Sequence, residues 1–139
     1  MISSNGTWGL LITVVGSCAL CLSLAGCGLL GTNDPPSAPD GLQLSASQDG
    51  VDVTWQASSN AAGYNVYRAE ESIPEGDLSS ATRVNGKSLV GGTSFLDDTA
   101  ENATTYFYRV TAENDAGESD PTPESEAQMP FPESPKPPE

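Results

Sequence analysis

From Gly41 onwards the sequence consists of short runs in which apolar and polar residues alternate, and this pattern constrains the fold more than any other feature. Alternation with a period of two places the apolar side chains on one face of a β-strand. The apolar positions of the clearest runs are Leu42, Leu44 and Ala46; Val51, Val53 and Trp55; Tyr64 and Val66; and Tyr106, Tyr108, Val110 and Ala112. No window repeats apolar residues at spacings of three and four, as an amphipathic helix requires. The pattern therefore predicts an all-β fold.

Turn residues separate the predicted strands. Ser47-Gln48-Asp49-Gly50 lies between the first two runs, and Asn85-Gly86 lies between Arg83-Val84 and Ser88-Leu89-Val90. Asn-Gly between two apolar runs is a strong β-hairpin signal. Further strands are predicted at Thr93–Leu96, Thr104–Glu113 and between Ser119 and Met129. Seven short strands at this spacing favour a two-sheet sandwich.

The composition excludes several classes of function. There are 19 Asp and Glu residues but only five Lys and Arg, which gives a net charge of −14, and there is no histidine. A nucleic-acid backbone needs a basic face, so nucleic acid is not an expected partner. Histidine is the commonest general base and metal ligand. The three cysteines (Cys18, Cys21 and Cys27) all lie near the start, which leaves no disulfide framework for the rest of the chain.

Two pairs of adjacent carboxylates, Glu70-Glu71 and Asp97-Asp98, raise the question of an acid–base or metal site. Adjacent side chains of a strand point to opposite faces, so neither pair converges unless it lies in a bend. Solvated surface acids are the favoured interpretation, with a weak divalent-ion site at Asp97-Asp98 as the alternative. The sequence contains no Ca²⁺-binding loop and no nucleophile elbow. We therefore predict no catalytic residue, metal ligand or bound cofactor.

The N-terminal segment carries no charged side chain before Asp34. Its apolar stretch from Trp8 to Ala25 has the size of a signal-peptide core with its flanks. The stretch ends in four residues that resemble the lipobox of bacterial lipoproteins: Leu24, Ala25, Gly26 and Cys27. The resemblance implies cleavage before Cys27, which then carries a diacylglycerol and an N-acyl chain. The alternative is an uncleaved membrane anchor in which Cys27 is one more buried apolar residue. The segment departs from a usual signal peptide because only the Met1 amine is positively charged.

Several longer segments together resemble a fibronectin type III domain in its bacterial form. They are Pro36–Leu42, Val51–Trp55, Gly63–Arg68 and Thr105–Ser119. The resemblance implies a seven-stranded, immunoglobulin-like sandwich. It also implies that Trp55 is the core tryptophan, that Tyr64 packs against it, and that the Tyr106 hydroxyl bonds to main chain upstream. The expected organisation is a lipoprotein signal peptide (1–26), a tether (27–34), the domain (35–128) and an extended proline-rich tail (129–139).

The alternation also predicts one outward patch. It places Tyr67 opposite Tyr64 and Val66, while Phe107 and Arg109 lie on the other face from the apolar positions of their strand. In the fibronectin type III topology these two strands are neighbours, so Tyr67, Phe107 and Arg109 form a candidate binding face of aromatic and cationic character. The alternative is cross-strand packing that stiffens the sheet under the connection between Glu70 and Gly92.

The expected function is a non-catalytic, lipid-anchored module that binds a partner or acts as a spacer on the cell envelope. The membrane is the expected partner of the lipid anchor, and the domain's own partner is an unidentified protein or glycan. The alternatives are a structural or assembly accessory with an inert sandwich and a glycan-associated accessory module. The expected location is the outer side of the cytoplasmic membrane or the outer membrane, and Gly28 after Cys27 favours the latter in bacteria with two membranes.

Overall fold

The computed structural model describes residues 34–133, and these form two antiparallel β-sheets with no helix among them. The strands are β1 (Asp40–Ser47), β2 (Gly50–Gln56), β3 (Gly63–Ala69), β4 (Thr82–Arg83), β5 (Ser94–Asp97), β6 (Thr105–Asn114), β7 (Gly117–Glu118) and β8 (Ser125–Gln128). One sheet has the order β1-β2-β5, and the other has the order β4-β3-β6-β7 with β8 also paired to β6. The all-β prediction is confirmed. Across residues 34–133, no helix has the length and apolar character needed to cross a bilayer.

The hydrophobic core lies between the two sheets and contains most of the predicted apolar positions. The buried members are Val51, Val53, Trp55, Tyr64, Val66, Tyr106, Tyr108, Val110, Ala112, Ala127 and Met129. The apolar residues of β1 (Leu42, Leu44 and Ala46) are only partly buried and pack against the edge of this core. The prediction of which face of each strand is apolar is therefore confirmed.

The hairpin predicted around Asn85-Gly86 is wrong, although the turn itself is present at residues 84–87. The segments on either side of the turn both pair with β3 instead of with each other. β4 pairs with the end of β3, and Val90 exchanges two hydrogen bonds of 2.9 Å with Tyr64. Between them the Asn85 side chain accepts a hydrogen bond from the Val66 main-chain nitrogen at 2.9 Å. Because this amide completes the ladder along β3, the edge of β3 binds both segments.

The last predicted strand is divided into β7 and β8, which both pair with β6. The interruption falls where Pro121 and Pro123 flank Thr122. Proline has no main-chain N–H and cannot continue a ladder. Between the two prolines Thr122 maintains the pairing: its main-chain N–H donates to the Val110 carbonyl at 2.8 Å, and its hydroxyl accepts from the Val110 N–H at 3.1 Å.

The folded domain continues beyond the boundary expected at residue 128. Met129, assigned to the tail from the sequence, is 1% exposed and donates its main-chain N–H to the Thr104 carbonyl at 2.8 Å. Pro130 accepts a hydrogen bond from the main chain of Ala103 at 3.1 Å. The residues after β8 therefore close one end of the core.

The chain enters and leaves the sandwich at opposite ends. The Asp34 carbonyl accepts a hydrogen bond of 2.9 Å from Asn114, at the turn between β6 and β7. The Phe131 carbonyl accepts one of 3.1 Å from Gln48, in the turn between β1 and β2. β1 runs from the first end to the second, and its eight residues span about 26 Å at the usual rise of a strand.

Candidate functional site

The structure brings the predicted binding face together on one side of β3 and β6. Tyr67 and Arg109 are direct cross-strand partners, and Phe107 lies opposite Ala69 two pairs further along. The predicted neighbourhood of these strands is therefore confirmed. We call this surface the outer β3–β6 face and define it by Asn65, Tyr67, Phe107, Arg109 and Thr111, the side chains that alternate with the core positions.

Arg109 does not lie on the protein surface, so the cationic part of the predicted patch is wrong. Its side chain is only 7% exposed. The Nε and Nη2 atoms donate to the Ile73 carbonyl at 2.9 and 2.8 Å, and Nη1 donates to the Thr122 carbonyl at 2.7 Å. A planar guanidinium presents several donors in fixed directions, which suits two carbonyls from irregular segments. At this position the alternative holds: the connection after β3 covers the sheet.

Glu124 holds the same connection from the other side. Its carboxylate accepts hydrogen bonds from the Ile73 main-chain N–H and from the Ser72 hydroxyl, the latter at 2.9 Å. The Ile73 side chain is fully buried. We call Ile73, Arg109, Thr122 and Glu124 the Ile73 clasp. Since both main-chain groups of Ile73 are paired, the clasp fixes a segment that has no strand or helix of its own.

A second polar cluster covers the other half of the outer β3–β6 face. Glu118 accepts hydrogen bonds from the Tyr67 hydroxyl at 2.8 Å, from the Asn65 amide at 3.1 Å and from the Thr111 hydroxyl. Asn65 and Thr111 are fully buried. Partial burial alone would raise the pKa of Glu118, but these donors lower it below the ordinary value. Burial, together with the hydrogen bond and the charge of Glu118, raises the pKa of Tyr67 to about 12.

Asp97 is buried, so the expectation that it is a solvated surface acid is wrong. It is 1% exposed and accepts hydrogen bonds from Arg68 at 2.7 Å, from the Tyr108 hydroxyl at 2.9 Å and from the Thr99 hydroxyl at 2.6 Å. Burial raises the pKa of Asp97, but these donors outweigh burial and lower it. Because internal donors use both oxygens, Asp97 links the two sheets and does not converge with exposed Asp98 on a cation.

A surface cleft of about 380 Å³ lies beside the end of β3. It is lined by Arg68, Ala69, Glu70, Glu71, Ser72, Ser80, Thr82 and Tyr106. The Arg68 guanidinium lies 4.5 Å from the centre of the Tyr106 ring and is paired with Asp97. Arg68 is thus the one cation among the described residues that line the cleft, and Asp97 neutralises its charge. Within residues 34–133 no group of three or more Cys, Asp or Glu side chains is arranged to hold a metal ion.

The aromatic positions implied by the resemblance occupy their expected places. The Trp55 and Tyr64 rings pack edge to face, with their centres 5.3 Å apart. The Tyr106 hydroxyl accepts a hydrogen bond from the Glu101 main chain, five residues upstream, at 3.3 Å. Both rings of the first pair and the ring of Tyr106 are at least 95% buried. These largely buried side chains stabilise the sandwich.

Solved structures of similar shape identify the architecture. A crystal structure of an Fn3-like protein from Clostridium thermocellum matches with a TM-score of 0.57 and 28% identity, covering 71% of this chain and 98% of that one. The fold is a fibronectin type III fold. The sixth fibronectin type III domain of human fibronectin type III domain containing protein 3 has a TM-score of 0.54, with 18% identity, 73% of this chain and 92% of that chain covered. No family model matches the sequence.

Two curated proteins resemble this sequence over short parts of their lengths. An amylopullulanase of Thermoanaerobacterium saccharolyticum is 33% identical over 82 residues, which are 59% of this chain and 6% of that protein. A poly(3-hydroxybutyrate) depolymerase of Ralstonia pickettii is 35% identical over 94 residues, which are 66% of this chain and 16% of that protein. The chain therefore spans only a small fraction of either relative.

Sequence reasoning missed the Ile73 clasp. The clasp left one signal in the sequence: Ile73 is a lone apolar residue within Glu70–Asp77, which is otherwise polar apart from Pro74 and Gly76. An isolated apolar residue in such a connection indicates a segment that packs against the body of the domain.

Proposed function

We propose that this protein is a lipid-anchored, non-catalytic spacer or binding module of the bacterial cell envelope. The observation that carries the proposal is the position of the two ends of the domain. Asp34 lies at one end of the sandwich and Phe131 at the other, about a strand length apart. A rigid body with this geometry separates whatever precedes it from whatever follows it.

The anchor at Cys27 is the second part of the proposal. Six residues lie between Cys27 and Asp34, and the seven steps from one to the other reach at most about 25 Å when extended. Two acyl chains hold a protein on a bilayer durably, whereas one gives marginal binding. The fibronectin type III domain is then held close to the membrane, with the Phe131 end directed away from it. The proline-rich sequence after Phe131 starts from that distal end.

The ionisable groups described above are hydrogen-bonded to partners within the domain, and this supports a non-catalytic role. Asp97 and Arg109 are the buried charged side chains of residues 34–133, and each is bonded to partners within the domain. Glu118 is exposed, but its carboxylate is also bonded within the domain. A catalytic acid or base needs a proton-transfer path to a substrate, and these contacts leave none. The two relatives named above agree with an accessory role, because the aligned segment is a small part of each enzyme.

The anchor is tested by expressing the full chain in a bacterium and measuring the intact mass of the membrane-bound product. We expect a chain that begins at Cys27 and carries diacylglycerol and N-acyl groups. Cys27→Ser should give an unprocessed, non-lipidated chain, and Cys21→Ser is the matched control that should behave as the parent. A parent protein with the mass of the full, unmodified chain would contradict the proposal, as would normal processing of Cys27→Ser.

A glycan-associated role is the second candidate, favoured by the similarity to an amylopullulanase. A glycan array probed with the purified full chain separates it from a pure spacer. Binding to a defined class of glycan, abolished by thermal unfolding of the domain, would support this candidate. Absence of binding across the array would leave the spacer role as the better account.

A further inference from the structure

The turn at Asn85-Gly86 combines a reactive sequence with an unusually well-bonded asparagine. Asn85 Oδ1 accepts a hydrogen bond from the Val66 main chain at 2.9 Å, and Nδ2 donates to the Ser88 carbonyl at 2.7 Å. The same Nδ2 lies 3.2 Å from Asn65 Oδ1 and 3.4 Å from the Tyr64 carbonyl. Both ends of this side-chain amide are therefore held by partners outside the Asn-Gly pair.

Gly86 leaves its main-chain nitrogen unshielded. The residue is exposed with φ of 65°, and a Cβ added to it would meet no atom within 4 Å. A main-chain nitrogen that is not covered by a side chain can attack the side-chain carbonyl carbon of the preceding asparagine. In this turn the attacking atom is the Gly86 nitrogen and the electrophile is Asn85 Cγ.

We propose that Asn85 is a latent deamidation site, which the folded domain holds unreactive through the contacts of its amide with β3 and Ser88. In the reaction the Gly86 nitrogen loses its proton to water and bonds to Asn85 Cγ, while the Cγ–Nδ2 bond breaks and ammonia leaves. Water then opens the resulting five-membered imide to aspartate or isoaspartate. No oxidant or reductant takes part, and water is the only co-reactant.

The native contacts oppose the first step. Ring closure requires the amide to rotate away from the Val66 N–H and the Ser88 carbonyl, and so the turn must first detach from β3. The rate in the folded protein is then the intrinsic rate multiplied by the fraction of time that this segment is open. Deamidation at Asn85 thus reports local opening of the β4 edge.

The product cannot restore the turn. An aspartate at position 85 replaces the Nδ2 donor with an oxygen that faces three acceptors, on Ser88, Asn65 and Tyr64. A negatively charged oxygen placed against acceptor oxygens is repelled by them where the amide had been bonded, which is destabilising. Isoaspartate also lengthens the main chain by one atom and shifts the pairing with β3. The modification therefore converts a reversible opening into a permanent release of the turn.

The first test is a comparison of rates in the full-length, detergent-purified protein. Samples are held at mildly alkaline pH with and without urea, and the peptide that contains Asn85 is followed by mass spectrometry. We expect conversion in urea and a rate at least about tenfold lower in the folded protein. Equal rates in the two samples, or no conversion in urea, would overturn the proposal. Asn102, which precedes Ala103, is the internal control and should stay intact in both.

The second test asks whether the product destabilises the turn. Asn85→Asp should lower the midpoint of thermal unfolding by roughly 4 °C or more. Asn102→Asp is the matched control, since the exposed Asn102 side chain makes no hydrogen bond to another described residue, and we expect little change. Equal unfolding midpoints for the two variants would contradict the account of the turn. Neither test depends on the lipid anchor or on the proposed envelope function.

Discussion

The two sheets of the sandwich differ in the solvent exposure of their outer faces. In β2 the burial follows the sequence pattern strictly: Val51, Val53 and Trp55 are buried, and the residues between them are exposed. In β3 and β6 the outward residues Asn65, Arg109 and Thr111 are buried as well, while Tyr67 and Phe107 are partly exposed. One sheet therefore has a solvated outer face, while the outer face of the other is largely covered.

Other segments of the same chain cover the outer β3–β6 face. The Ile73 clasp places the connection after β3 over Arg109, and Glu118 covers Asn65 and Thr111. These contacts are polar, so they leave no apolar signal in the outward positions of the strands. The difference shows that alternation locates the inner face of a sheet but does not reveal whether its outer face is free to bind a partner.

The largest expected effect is on the inner core that both sheets share. Trp55→Ala removes a buried ring and its contact with Tyr64, and we expect the free energy of unfolding to fall by about 3–5 kcal/mol. Chemical denaturation measures this loss, with the slope of the unfolding free energy against denaturant concentration equal in the two proteins. A loss below about 1 kcal/mol would mean that the two sheets are not held together by this core.

The next prediction tests whether the outer β3–β6 face contributes to the free energy of unfolding to a comparable extent. Arg109→Ala leaves the Ile73 and Thr122 carbonyls without donors, and we expect a loss of about 3 kcal/mol. Arg109→Lys is the control: it keeps the charge but cannot reach both carbonyls with a rigid fork, so it should recover only part of the loss. If Arg109→Ala left the free energy of unfolding unchanged, the contacts on the outer β3–β6 face would add nothing to stability, as on the solvated outer face of β2.

A smaller effect should appear in the dependence of stability on pH. The folded-state pKa of Asp97 is lowered, so its ion pair stabilises the domain above the unfolded-state pKa, which is about 4 for an aspartate. This contribution is lost as the pH falls through the lowered folded-state pKa. Asp97→Asn should therefore be less stable than the parent at neutral pH, and the difference should shrink below about pH 4. A difference that stayed constant down to pH 2 would exclude Asp97 as the source.

The smallest effect is expected on the solvated face. Asp52 pairs with Leu96 in the same ladder that pairs Asp97 with Val51, but its side chain is exposed. Asp52→Asn should change the free energy of unfolding by less than about 0.5 kcal/mol at any pH. It is the matched control for Asp97→Asn. Equal losses in the two variants would remove the distinction between a buried and a solvated carboxylate.

The strands, the inner core and the aromatic positions could be predicted from the sequence, because alternation and the resemblance are carried by residues that are close in the chain. The roles of Arg109 and Asp97 could not. Arg109 meets Ile73 across 36 positions, and Asp97 meets Arg68 across 29. The same limit explains why the hairpin predicted at Asn85-Gly86 does not form, since β3 competes for both arms of the turn from about 20 residues away.

The direct test of the covered face is hydrogen exchange at the Ile73 amide in the full chain. If Glu124 and Arg109 hold this residue as described, its amide should exchange as slowly as the amides of β6, although it lies in no strand. The Ser80 amide, in the exposed part of the same connection, is the fast reference. Exchange at Ile73 as fast as at Ser80 would show that the outer β3–β6 face is open, and the predicted binding face would then have to be reconsidered.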